Sequence, residues 1–292
     1  MKKILVPVDF SPHTETSCRY ALSIAEKAGS ELILFHSFFD QVYFSDGGFS
    51  TSFESGLMLT DEIILDFYKQ KESTLRSIAE SLESSLSQAG RSRVKITCHM
   101  ESGDPEIQIV NAIRKFNPDL IIMSSAGMGK KRILSGSVAR RIIDHTSTPV
   151  LAVPALAETR TVKNVVYMTA FESGDSEVIR NIESLFSGFD TSFAILHILT
   201  GMEEPGAEKN MEALSESLLS ASPGTTKTYH ILEDNEHYDR LKHFLAEHRT
   251  DLIAFIPHKR NVFRNLFHHG IKREDLFLTH IPILAARPAV KI

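Results

Sequence analysis

The chain has 292 residues, enough for two units of common domain size, each with its own core. Apolar residues make up 42% and charged residues 24%, an ordinary balance for a globular protein, and the formal charge of −5 excludes a general nucleic-acid binder. Cys18 and Cys98 do not make a disulfide framework, which points to a reducing, cytoplasmic setting; Pro7 and Asp9 break the opening apolar run, which is no signal peptide, and nowhere does a run reach the roughly 18 apolar residues of a membrane span.

Lys3 to Val8 is apolar and β-rich and reads as a buried first strand that stops at Asp9. Ser11 is a candidate N-cap with Pro12 at the first helical position, and the helix turns Cys18, Ala21, Leu22 and Ala25 inward until Gly29 closes it. Glu31 to His36 is the second strand. Strand, helix and strand with short connections predict a right-handed parallel unit. Residues 38–60 break the rhythm with six aromatics among Gly, Ser and Asp, and read as a lid, a dimer contact or a loop pinned by its aromatics. A long helix is predicted over 61–89, with Leu75, Ile78, Ala79, Leu82 and Leu86 on one stripe. Val94 to His99 alternates as a third strand. Ser102-Gly-Asp-Pro105 turns the chain into a helix with Ile107, Val110 and Ile113 inward, and Asn117-Pro118 stops it.

The next stretch is the one the first half is organised around. Leu120 to Met123 is a buried parallel strand, and Gly127 and Gly129 permit a sharp turn and a close approach of backbone to a ligand. Lys130, Lys131 and Arg132 follow. Gly136-Ser137 then opens a helix through Val138, Ala139, Ile142 and Ile143, whose first N–H groups could face an anion. Val150 to Val153 is the fifth strand.

After a polar linker at 155–163 the pattern restarts, with a period of about 150 residues. Strands are expected at Asn164–Thr169, Thr191–Leu199, Lys227–Leu232, Leu252–Ile256 and Ile283–Ala286. The helices between them carry Ile179, Ile182, Leu185 and Phe186, then Met211, Leu214, Leu218 and Leu219, then Leu241, Phe244 and Leu245. Leu34-Phe-His36 matches Ile195-Leu-His197, and Asn117-Pro-Asp-Leu-Ile-Ile122 matches Arg249-Thr-Asp-Leu-Ile-Ala254. Asp119 precedes Pro149 by 30 positions and Asp251 precedes Pro282 by 31. The fifth strand of each repeat is an apolar edge that needs covering.

Lys3-Ile-Leu-Val-Pro-Val-Asp-Phe-Ser11, Gly103-Asp-Pro105 and the glycine loop resemble the universal stress protein (UspA-like) family, and the whole chain looks like a tandem member. The resemblance implies an α/β fold of two tandem, open, parallel five-stranded, doubly wound domains of the adenine nucleotide alpha hydrolase-like kind, at 1–155 and 160–292. It implies ATP, with or without Mg2+, at the carboxyl ends of the strands. Pro7, Val8 and Ser37 would meet the base, Asp9 the ribose, and Gly127, Gly136, Ser137 and Val138 the phosphates, with Met123, Ser124 and Gly129 completing the binding set. It also implies pairing of the repeats within the chain and leaves a further homodimer open. Ligands of open α/β sheets sit where the strand order reverses, which agrees with that location if strands one and four are neighbours. The chain departs from the family pattern G-x2-G-x9-G-[S/T]: the first glycine falls at Ser124, and eight residues separate Gly127 from Gly136. The second repeat has no acid at the position of Asp9 and no glycine between Pro257 and Gly270, and reads as a structural partner without a nucleotide site.

Other features carry less. Nine of the 13 histidines lie in the second half, but none pair at the spacing of a zinc helix, so they read as solvated surface rather than as ligands. Lys259, Arg260, Arg264, Lys272 and Arg273 form a basic face that offsets acidic helices or meets an anionic partner or lipid headgroup. The family includes slow ATP hydrolysers, yet neither a second acid, a Walker lysine nor a Ser–His–Asp set accompanies Asp9. Two functions remain: a nucleotide-binding stress-response module, or a scaffold of the same fold that works by dimerising.

Overall fold

A computed structural model describes residues 1–38, 61–90, 94–125, 138–199, 205–219, 225–232, 237–257 and 279–288. The first half runs β1 (Lys3–Pro7), α1 (Thr14–Ala28), β2 (Glu31–Phe38), α2 (Asp61–Gln88), β3 (Ile96–Ser102), α3 (Pro105–Phe116), β4 (Leu120–Ser124), α4 (Val138–His145) and β5 (Val150–Val153). The second half runs β6 (Asn164–Met168), α5 (Asp175–Leu185), β7 (Ser192–Ile198), α6 (Ala207–Leu219), β8 (Lys227–Leu232), α7 (His237–Glu247), β9 (Leu252–Phe255) and β10 (Ile283–Ala285).

All ten strands form one sheet, in the order β3-β2-β1-β4-β5-β10-β9-β6-β7-β8. Pairing is parallel within each half. The halves meet at β5 and β10, which run antiparallel with Ile283 opposite Ala152, Leu284 opposite Leu151 and Ala285 opposite Val150. The two apolar strands expected at sheet edges therefore lie at the middle of the sheet. Alternation along the strands feeds two cores. Ile4, Val6, Leu34, Leu151, Tyr167, Ile195 and Leu284 pack with α1, α2, α5 and α6 on one face. Leu5, Phe35, Met123, Val166, Leu196 and Ile283 pack with α3, α4 and α7 on the other.

The repeat seen in the sequence has a polar counterpart. Asp119 Oδ2 accepts from the amides of Lys2 and Lys3 at 2.6 and 2.9 Å, and Asp251 Oδ2 accepts from those of Lys163 and Asn164 at 3.0 Å each. Each carboxylate ties the start of the fourth strand of its half to the start of the first. His36 and His197 do the equivalent at the other end: their Nδ1 atoms lie 2.7 and 2.9 Å from the carbonyls of Val8 and Thr169. The matched Asp-Leu-Ile and His motifs are thus matched latches on matched strands.

Several sequence expectations shift. Helix α1 begins at Thr14, with His13 at the cap and no side-chain cap bond, so Pro12 lies outside it. Ser11 instead belongs to the turn that precedes the helix, its carbonyl accepting from Thr14 N at 3.0 Å. Ile107 is 60% exposed rather than inward: α3 buries Ile109 and Ala112, with Ile113 and Phe116 partly buried on the same core, and Asp104 caps its start through the amides of Glu106 and Ile107. Leu219, at the last position of α6, is likewise exposed. The calls on residues 39–60, Lys130–Arg132 and the basic residues of 259–273 fall outside the described residues.

Leu151 and Leu284 are both fully buried and stand opposite each other. Leu284→Ala is expected to cost about 2–5 kcal/mol. Combined with Leu151→Ala, the losses should fail to add by about 0.5 kcal/mol or more, read from denaturant unfolding of the four proteins of the cycle. Strict additivity would contradict this register.

Candidate functional site at the carboxyl ends of β1 and β4

Strand order reverses between β1 and β4. From β1 the chain crosses to β2 on one side, and β4 joins it on the other, with Ile4 opposite Leu120 and Leu5 opposite Ile121. That register sets Pro7 level with Met123. The crevice beyond those strand ends is where an open α/β sheet receives a ligand.

Asp9 stands at this point, two residues past the end of β1, and is exposed. Its Oδ1 accepts from Ser11 N and from Thr14 Oγ1, both at 3.0 Å. The first contact is an Asx turn, and the second ties the carboxylate to the first turn of α1, so the group is oriented before any ligand arrives. Oδ2 accepts no hydrogen bond from the described residues. A carboxylate fixed by one oxygen and open at the other suits a vicinal diol.

Alternation splits the remaining predicted residues between the two faces. Pro7 and Ser37 follow Leu5 and Phe35 in alternation, on the face of Met123. Val8 lies on the opposite face, nearly buried, with its amide bonded to Phe35 O and its carbonyl to His36. Met123 is buried, and half-buried Ser124 pairs with Val153. Val138 opens α4 and packs with Ala139 and Ile142 on the core covered by α3, α4 and α7. Gly127, Gly129, Gly136 and Ser137 fall outside the described residues.

Four neighbours that are not among the predicted site residues complete this corner. Phe10 has a positive φ of 55°, uncommon for a bulky side chain, and its ring lies 4.1 Å from the ring of His36. Lys71 of α2 places its Nζ 5.3 Å above Phe10. Thr14 holds Asp9. Burial lowers the pKa of His36, aided by Lys71 and opposed by the Val8 carbonyl and Asp9. Neutral His36 donates from Nδ1 to Val8, and its buried Nε2 finds no partner among the described residues. The signal for these residues lay in the repeat: Phe10 and His36 recur as Phe171 and His197, with φ 57° and a ring separation of 4.2 Å. Their recurrence marks them as a feature of the fold rather than of one ligand.

Residues 1–154 match the model of the universal stress protein family. The chain belongs to the universal stress protein family. Over 155 residues it is 32% identical to the universal stress protein MJ0531 of Methanocaldococcus jannaschii, covering 52% of this chain and 81% of that one. A second protein of that organism, universal stress protein MJ0577, is 28% identical over 157 residues, 52% of this chain and 94% of its own. In three dimensions the chain resembles a universal stress protein from Archaeoglobus fulgidus with a TM-score of 0.70 and 17% identity, over 99% of this chain and 97% of that one. That likeness extends the fold across both halves.

Within this universal stress protein, the second half rebuilds the same corner without an exposed acid. Ala170 stands where Asp9 stands, and Asp175 where Thr14 stands, so the carboxylate has moved from the strand end to the start of the helix. Asp175 is 1% exposed and accepts from Tyr167 Oη at 2.7 Å, Thr169 Oγ1 at 2.5 Å and Glu172 N at 2.8 Å. Burial and the neighbouring carboxylate push the Tyr167 hydroxyl well above its usual pKa, so it remains a donor. The side chain of Pro288 fills the space that a Cβ on Gly174 would need, packing the chain after β10 against the start of α5. Nor are the second-half histidines uniformly solvated. His197 is buried, and His248 stacks on Phe244 at 3.9 Å with His230 edge-on at 5.0 Å.

Two outcomes follow from these corners. Asp175→Ala strands three donors, two of them buried, and should cost about 3 kcal/mol or more, whereas Asp9→Ala should cost about 1 kcal/mol; urea unfolding of the two variants checks the contrast. Because His36 has a folded pKa below its unfolded value of about 6.5, its contribution is intact above that pH and is lost as pH falls through the folded pKa. Burial acts in the same direction on His99 and His230. Stability should therefore decline as pH falls below about 6.5, and His36→Asn, whose amide can still donate to Val8, should flatten part of that decline.

Proposed function

We propose that the first half binds one adenine nucleotide, ATP foremost, and that the protein acts as a nucleotide-responsive regulatory module of the stress response. The supporting observation is Asp9: an exposed, pre-oriented carboxylate with one open oxygen, at the crevice where β1 and β4 diverge. In this reading Asp9 accepts the two ribose hydroxyls, Pro7 and Ser37 border the base, and the glycine loop with the start of α4 receives the phosphates. Mg2+ would arrive with the phosphates, since no described group of three or more His, Cys, Asp or Glu is placed to hold a metal ion. Residues 160–292 serve as the structural partner of residues 1–155, their own carboxylate consumed by Tyr167, Thr169 and Glu172. Asp9 could orient a water for slow hydrolysis, but the described residues offer no second acid beside it, so we assign binding rather than turnover. Homodimerisation is a separate proposal, checked by mass in solution.

Calorimetric titration with MgATP should show about one site per chain, and ATP should raise the melting temperature of the parent but not of Asp9→Ala. Two sites would contradict the reading of the second half. Absence of heat and of any thermal shift at millimolar ligand would favour the scaffold instead.

A further inference from the structure

Antiparallel pairing of β5 with β10 carries the end of β10 to the amino end of β5, beside the turn that leads out of α4. Arg287, two residues past β10, reaches across the seam there. Its Nε and Nη2 donate to the carbonyl of Ile143 at 3.3 and 3.2 Å, and Nη2 lies 3.7 Å from Asp144 Oδ1. Ile143 O is among the last four carbonyls of α4, which have no partner within the helix, and a cation at that end also meets the negative pole of the helix dipole. The Arg287 side chain is only 18% exposed, and burial lowers its pKa, partly offset by Asp144. A desolvated, forked cation on one carbonyl fixes position more tightly than a flexible surface pair.

The helix so gripped is short. Val138–His145 is eight residues, anchored by Ala139, Ile142 and Ile143, and its other charged tie across elements is the exposed pair Arg141–Glu106 to α3, at 2.6 Å. In the first half the residue that matches Arg287 is Pro154, which has no donor, so the clasp runs one way: from the second half onto α4 of the first.

We propose that Arg287 is a positioning residue for the nucleotide site of the first half. It sets α4 from its carboxyl end, and α4 carries the first-turn amides assigned to the phosphates. This rests on the nucleotide reading above, and it gives the second half a role in that site although it has none of its own. Linkage makes the coupling reciprocal: nucleotide on the first half should steady β10.

The test compares the full-length parent with Arg287→Gln and Arg287→Lys. Hydrogen exchange of the α4 amides, without ligand, is expected to quicken by about tenfold in R287Q and by less in R287K. MgATP affinity, titrated well below the melting temperature, should fall by about three- to tenfold in R287Q with partial recovery in R287K. In the parent, MgATP should slow exchange at Ile283–Ala285. A purely structural Arg287 would lower the melting temperature and leave affinity unchanged. If R287Q does not fold, R287K carries the same comparison against the parent. Parent binding with equal affinity in the variants overturns the coupling and leaves the nucleotide reading standing. No MgATP binding by the parent overturns both, and unchanged α4 exchange overturns the clasp itself.

Discussion

A five-stranded parallel sheet with β5 at its border would leave Val150–Val153, four buried apolar residues, with one row of unpaired amides and carbonyls. The same holds for Ile283–Ala285 in the other half. Each such edge invites pairing with another chain. Joining them to each other removes both at once, and because the join is antiparallel it turns the two halves end for end. Most of the molecule's asymmetry follows from this seam. The strand ends that bear Asp9 point one way and those that bear Ala170 the other, and each half meets its partner's last strand at the foot of its own.

The two corners beyond β1 and β6 show how one backbone can carry an open site or a closed one. The latching histidine, the aromatic at positive φ and the turn into the helix are common to both. What differs is which residue supplies the carboxylate. On the strand end it is exposed and half-used; on the helix start it is buried and fully used. A buried carboxylate must satisfy its oxygens locally or pay a desolvation penalty, and Tyr167 and Thr169, where the first half has Val6 and Val8, supply the donors. The second half thus holds its carboxylate buried and fully bonded with few changes of side chain.

Under the proposed nucleotide reading, the two halves divide the work. The site borrows definition from the sheet, and the sheet is continuous across both halves. Arg287 is the charged contact that carries this continuity from β10 to α4, and it has no counterpart on Pro154. A tandem chain can evolve such a one-way contact, because its two halves mutate independently; two identical copies about a symmetry axis would acquire it twice.

Much of this was legible in the sequence. Apolar runs located the inner strands, since buried parallel strands need continuous apolar side chains, whereas the edge strands β3 and β8 are half-exposed, and β3 showed as an alternating stretch. The recurrence of His36 and Asp119 as His197 and Asp251 exposed the repeat, because each holds a backbone latch that any copy of the fold needs. Asp9 stood out because a carboxylate ending a buried strand has little structural use. Other features required the folded chain. Spacing gives a helix its period but not its rotation, so the exposure of Ile107 follows only from the packing of Ile109 and Ala112 on the core. Asp175 carries no motif of its own, and only the approach of Tyr167 and Thr169 from the end of β6 shows it to be buried. Arg287 follows a strand with no motif around it. Its role arises from a pairing between residues more than a hundred positions apart, and a local pattern holds no trace of such a contact.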